Sequence, residues 1–290
     1  MTSSDAGREF EGRRALVTGG SRGIAAELSR ALARRGALVG VNFSAAADGA
    51  SGQQSAAEAL VAEIRAEGGR AVALEQDLMQ DRAGEALAEK ARAEIGPVDT
   101  LVLSASIQYH VPFLEQSVAQ VSDQVRINLL SNIQILQGLL PDMVLARYGR
   151  ILTIGSVQEV SPTAEMPIYS MTKAAMKNLV ENLAVQGGGQ NVIFNNIAPG
   201  LVATDRNAFR REDAEAWERL QRRANPVGRA GRPQDLTALA MHLLSPANSF
   251  TTGATIYATG GAHIPIAGGA TAPRFHLPQE ASDKDRAVSG

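Results

Sequence analysis

Apolar positions along this chain fall into two patterns. Short continuous runs alternate with longer segments in which apolar residues recur every three or four positions. The runs predict strands over Arg14–Thr18, Leu38–Phe43, Ala71–Leu74, Thr100–Ser104, Arg150–Ile154, Val192–Ile197 and Thr255–Tyr257. The longer segments predict helices over Ile24–Arg35, Ala56–Glu67 and Arg82–Ile95, and further helices near Val118–Leu140, Tyr169–Gln186 and Pro233–Leu244. Gly36, Gly68-Gly69 and Gly96-Pro97 stop the first three helices. Strands that alternate with helices imply βαβ units and a parallel sheet covered on both faces. Such crossovers are nearly always right-handed, so the expected fold class is α/β, doubly wound, in three layers. Polar Ser44–Ser55 reads as a loop, and the stretch after Gly261 is irregular. There is no internal repeat and no proline-rich linker, so residues 1–261 read as one domain and 262–290 as an extension.

Composition narrows the function. The 290 residues include no cysteine, which excludes disulfides, thiolate metal sites and a cysteine nucleophile and fits a reducing compartment. The 28 basic and 30 acidic residues give no electrostatic case for nucleic acid. The N-terminal MTSSDAGREFEGRR has no apolar core, and no apolar run reaches the length of a membrane span, so a cytoplasmic protein is expected. His110, His242, His263 and His276 show no metal-binding spacing, and no metal is expected.

Thr18-Gly-Gly-Ser-Arg-Gly-Ile-Ala25 lies at the first strand–helix junction. Gly19 permits a tight turn, Gly23 allows close approach of a pyrophosphate, and the free N–H groups at the helix start meet its charge. Ser21, Arg22 and Ile24 complete that candidate site. A plain strand-to-helix turn is the competing reading. An acid about 20 positions further on usually binds the adenine-side ribose, but the second strand ends Asn42-Phe43-Ser44 with no carboxylate. Arg22 could pair with a 2′-phosphate instead of facing solvent. NADP(H) is therefore preferred, with NAD(H) left open. Asp77, followed by Leu78, either meets the adenine amino group or caps the next helix.

Tyr169-Ser-Met-Thr-Lys173 puts a phenol and an ammonium on one helix face. Chance would supply roughly 0.06 such pairs in this chain. A nearby lysine charge lowers a tyrosine pKa and suits it to acid–base work on a hydroxyl or carbonyl. Ser156 follows a strand and is the expected orienting donor. Asn128 lies inside an apolar helix. It either bonds neighbouring backbone or relays a proton through water to Lys173. Pro199-Gly-Leu-Val-Ala-Thr204 supplies a rigid turn beside the nicotinamide end. Asp205 to Arg223 carries six arginines and Trp217 and reads as a mobile lid or a charged surface helix. Its arginines suggest an acidic substrate; four interleaved acids weaken that idea.

Together these segments resemble the short-chain dehydrogenase/reductase family. The resemblance rests on Thr18–Ala25, Asp77, Asp99-Thr-Leu-Val102, Asn128, Ser156, Tyr169–Lys173, Asn195-Asn-Ile-Ala-Pro-Gly200 and Gly228-Arg-Ala-Gly-Arg-Pro233. It covers about residues 10 to 261. It implies a seven-stranded Rossmann sheet and hydride transfer between nicotinamide and a carbonyl carbon or secondary alcohol. Ser156, Tyr169 and Lys173 would be catalytic, with Asn128 as fourth member. Lys173 would hold the nicotinamide ribose and Thr204 the carboxamide, with Pro199, Gly200 and Val202 beside them. The family's Asn-Asn-Ala-Gly reads Leu103-Ser104-Ala105-Ser106 here, so Ser106 replaces a glycine along the cofactor and Ser104 an asparagine that steadies the sheet. Ala25 and Thr259 are two further departures. Members commonly assemble as tetramers, so a homo-oligomer, tetramer or dimer, is implied.

The substrate is expected to be a small carbonyl or alcohol compound, with Gln108, His110, Ser156, Gln158 and Tyr169 as candidate contacts. Polyols, sugar acids, 3-oxoacyl thioesters and bulkier ketones all remain open. A non-catalytic dinucleotide-binding sensor or scaffold is the alternative, motivated by Ser104 and Ser106. A lyase or epimerase ranks last. Within the C-terminal stretch, Phe275 and His276 are read as reaching a neighbouring subunit, and 279–290 as disordered.

Overall fold

The computed structural model describes residues 7–48 and 55–265. Seven strands, β1 (Arg14–Val17), β2 (Leu38–Phe43), β3 (Arg70–Glu75), β4 (Thr100–Leu103), β5 (Gly149–Ile154), β6 (Val192–Pro199) and β7 (Thr255–Ala258), form one sheet. Their order is β3-β2-β1-β4-β5-β6-β7, and every pair is parallel.

Successive strand residues point to opposite faces, and here both faces are apolar. Leu16, Leu101, Ile151 and Phe194 face one way, against α4 (Ala83–Ile95), α6 (Ser131–Leu145) and α7 (Pro167–Gly187). Their neighbours Val17, Val102, Leu152 and Ile197 face the other way, against α1 (Gly23–Arg34), α3 (Ala56–Ala66) and α9 (Pro233–Leu244). The three-layer reading of the runs is therefore met. Strand order reverses between β1 and β4, which opens a crevice at the carboxyl ends of those two strands. At the other end of the sheet, the fully buried Arg150 ties together the carbonyls of Gly149, Asn191 and Ser245.

Three segments differ from the pattern. The single helix expected near Val118–Leu140 is α5 (Val118–Val125), a π-helical turn (Arg126–Leu130) and then α6. A capping box between Ser117 and Gln120 starts it. Single π turns inside helices recur at functional sites, and this one contains Asn128. The polar loop holds a short helix, α2 (Ala45–Asp48); residues 49–54 lie outside the described residues. The segment read as a lid or a charged surface helix folds into a 3₁₀ stretch, Asp205–Arg211, and an exposed helix, α8 (Ala214–Ala224), capped by Asp213. Its interleaved acids pair with its own arginines, Glu215 with Arg219 and Glu218 with Arg222. Phe275, His276 and the rest of 266–290 lie outside the described residues. Among the described residues no helix is long and apolar enough to cross a membrane.

Candidate active site

The glycine turn joins β1 to α1 at the reversal point. Gly19 has φ +58°, and a Cβ there would sit 3.1 Å from Ala105 Cα in the loop after β4. The two loops flanking the crevice thus approach at backbone distance, which leaves a side-chain-free cradle. Thr18 fastens the second loop: its hydroxyl accepts from the N–H groups of Ser104 and Ala105 at 2.9 and 3.1 Å. Here the tie comes from the threonine that follows β1. Arg22 is exposed at the N-cap of α1, whose first turn carries no acid.

Asn42 has a different surrounding from the one expected. Its side chain is buried. Oδ1 accepts from Gly19 N at 3.3 Å, and Nδ2 faces the carbonyls of Phe43, Leu74 and Gln76. It shapes the glycine turn from below. Phe43 and Leu78 are buried, and Ser44 is half-buried. Asp77 Oδ1 accepts from Met79 N at 2.9 Å, so it caps the turn after β3 and not α4.

The carboxyl ends of β5 and β6 carry the second half of the site. Ser156 follows β5, where its hydroxyl accepts from Gln158 N at 3.2 Å and exerts a lowering influence on the Tyr169 phenol. Tyr169 and Lys173 lie on the first turns of α7, both buried. Lys173 Nζ donates to Ile154 O at 2.8 Å and lies 5.6 Å from the centre of the Tyr169 ring. Asn128 makes structural bonds. Oδ1 accepts from Ile107 N at 2.8 Å, while Nδ2 donates to Ile107 O at 2.9 Å and Thr172 Oγ1 at 3.1 Å. It locks the loop after β4 to α7.

The electrostatics correct one expectation. Lys173 was expected to lower the phenol's pKa, but burial dominates and pushes Tyr169 above its ordinary value. The opposing influences come from Arg206 and Ser156. Lys173 is lowered to about 8, by burial first and by the positive charge of Arg206 second, with the Glu159 carboxylate working the other way.

Glu159 and Arg206 were not singled out in the sequence. Glu159 is largely buried at the end of the short 3₁₀ turn after Ser156. It accepts from Ser156 N at 3.0 Å and from Asn196 Nδ2, whose own Oδ1 accepts from Thr153 Oγ1 at 2.7 Å. Burial raises its pKa. The Ser156-x-x-Glu159 capping-box spacing was a readable signal for it. Arg206 donates to Ser106 O at 2.7 Å and contacts Ser106 Oγ, and its positive charge acts on Tyr169. Nothing in the run of six arginines marks it out.

The remaining candidates divide. Pro199 ends β6, Val202 is bridged to Gly231, and the Thr204 side chain would lie 3.3 Å from a Cβ on Gly23, which closes the crevice between its two halves. Gly200 backs onto Thr259. Gln158 turns to local partners, accepting from Thr163 N and Ser170 Oγ. Gln108 and His110 bond each other at 3.1 Å, and His110 lies 3.7 Å from Glu165. Among the described residues no cluster is able to hold a metal ion.

A doubly wound parallel sheet with a glycine turn at its reversal and a Ser–Tyr–Lys group beyond β5 defines a dinucleotide-fold oxidoreductase. A profile of the short chain dehydrogenase family matches residues 13–215, and the chain belongs to that family. It is 29% identical over 253 residues to a 2-dehydro-3-deoxy-D-gluconate 5-dehydrogenase of Formosa agariphila, covering 87% of this chain and 93% of that one. It is 33% identical over 252 residues to the 7alpha-hydroxysteroid dehydrogenase of Escherichia coli, covering 87% and 94%. A crystal structure of a 3-oxoacyl (acyl-carrier-protein) reductase from Agrobacterium tumefaciens C58, with NADP bound, superposes with TM-score 0.83 at 40% identity, over 90% of this chain and 98% of that one.

Proposed function

We propose that this protein is an NADP(H)-dependent oxidoreductase that interconverts a ketone and a secondary alcohol, with Tyr169 as the acid–base group. The observation that carries this reading is the buried Tyr169 with Lys173 one turn further along α7, its Nζ 5.6 Å from the phenol ring and tied to Ile154 O at the end of the strand that Ser156 follows. The side-chain-free approach of Gly19 to Ala105 and the acid-free start of α1 fit a dinucleotide diphosphate. Arg22 would hold the 2′-phosphate, and NAD(H) remains a weaker second cofactor. The NADP in the related reductase structure supports the same choice.

The cofactor, when bound, supplies or takes the hydride. Ser156 holds the substrate oxygen against the phenol. Tyr169 gives that oxygen its proton in reduction and takes it back in oxidation. Because burial raises the pKa of Tyr169, the phenol stays protonated at neutral pH, as reduction requires. Lys173 places a positive charge behind the ring and is positioned by Ile154 O.

This reading includes a cytoplasmic homo-oligomer of two or four copies and one catalytic domain over residues 1–261, followed by an extension over 262–290. Exposed Val118, Leu130 and Met171, on the helices that carry Asn128 and Tyr169, support self-association. Light scattering tests it, and a monomer would remove that part.

The test of the activity is NADPH oxidation across a ketone panel with wild-type protein and Tyr169→Phe. Wild type should turn over at least one ketone. The variant should lose about 10²- to 10⁴-fold in turnover while binding NADPH as before. No oxidation above blank, or full activity in the variant, would overturn the reading.

A further inference from the structure

Arg206 is an exposed residue whose guanidinium nonetheless reaches into the site. It bonds the carbonyl and hydroxyl of Ser106, and its positive charge acts on both Tyr169 and Lys173. Other arginines of this segment have local partners: Arg211 on Thr204 O and Asn207, Arg219 and Arg222 on their own glutamates. Among the described residues, the charges that act on both Tyr169 and Lys173 are Arg206 and Glu159, so with Lys173 itself two cations stand against one carboxylate. A guanidinium has five donors in a planar fork suited to a carboxylate. A substrate that carries its own carboxylate next to the reacting carbon offers this guanidinium an ionic partner beside the phenol.

We infer that Arg206, held by Ser106, is the residue that selects an anionic substrate, and that the substrate class is a hydroxy acid or its oxo acid. This rests on the dehydrogenase reading above. It also gives Ser106 a purpose: its hydroxyl is an acceptor that a glycine at that position would lack.

The experiment uses the full chain with NADPH and three carbonyl acids, pyruvate, acetoacetate and levulinate, each against its methyl ester. Wild type should favour at least one acid over its ester by tenfold or more in kcat/KM. Arg206→Gln should reduce that ratio by about tenfold to a hundredfold, the range of one charge-assisted pair, with the loss concentrated in KM. The affinity for NADPH, read by its fluorescence, should stay within threefold. In parallel, malonate is titrated into the NADPH-loaded protein. Binding in wild type and its loss in Arg206→Gln support the inference even without turnover, a case in which the dehydrogenase reading alone would fail. Four outcomes overturn the inference: no malonate binding, esters favoured over acids, acid and ester lost in equal measure in the variant, or a matching loss of NADPH affinity, which would assign Arg206 to the cofactor.

Discussion

Gly155 leaves the space that the Glu159 carboxylate fills. A Cβ on Gly155 would overlap Glu159 Oε1 and lie 2.7 Å from Asn196 Oδ1. The carboxylate is confined between β5, β6 and the turn that carries Ser156. Gly155→Ala should therefore displace Glu159 and break its bond to Ser156 N. Overpacking of this kind destabilises by about 1–3 kcal/mol. Chemical denaturation should show that loss, and turnover should fall with it because Ser156 loses its anchor. Unchanged stability and turnover would mean that the carboxylate has room to move.

Glu159 itself carries a pH signature. Burial raises its folded pKa above the unfolded value of a glutamate. For such a group the stability contribution is full below the unfolded pKa and is lost as pH rises through the folded one. Glu159→Gln removes the titration. Relative to wild type, the variant should gain in melting temperature as pH is raised from about 4 to 7. A pH-independent difference would refute the raised pKa.

Lys173 has two charged neighbours that act in opposite directions. Arg206 lowers its pKa and Glu159 raises it, around a value of about 8. Reduction uses the charged lysine, so kcat/KM for NADPH, which reports free enzyme, should fall as pH rises through that value. Arg206→Gln should move this limb to higher pH and Glu159→Gln to lower pH. Shifts of the same sign in both variants would contradict the arrangement.

The strand ends and the helix that present Ser156, Tyr169 and Lys173 were legible because each motif sits where a period changes, from a run of apolar residues to a repeat of three or four. The π turn at Arg126–Leu130 was not legible, since it keeps the same apolar face as the helices on either side. Nor was the contact between Arg206 and Ser106, which joins loops 100 residues apart in the chain. The partners of Asn128 and Asn42 were not legible for one reason: an amide's partners are set by tertiary approach, and no spacing in the sequence records them.

Asn42 gives the sharpest consequence of that difference. A carboxylate at the end of the second strand is the usual route to NAD(H) preference, so Asn42→Asp looks like a cofactor switch. In this fold the side chain is buried, and its Nδ2 faces three backbone carbonyls while Oδ1 receives Gly19 N. An aspartate would keep the bond from Gly19 but turn a second oxygen toward those carbonyls. Leaving a buried charged group without donors costs about 3 kcal/mol or more. Asn42→Asp should therefore lower the melting temperature clearly and should not improve NADH binding relative to NADPH. Thermal melts and fluorescence titration of both cofactors check it. A stable variant with tighter NADH binding would show that the residue reaches the ribose rather than the turn beneath it.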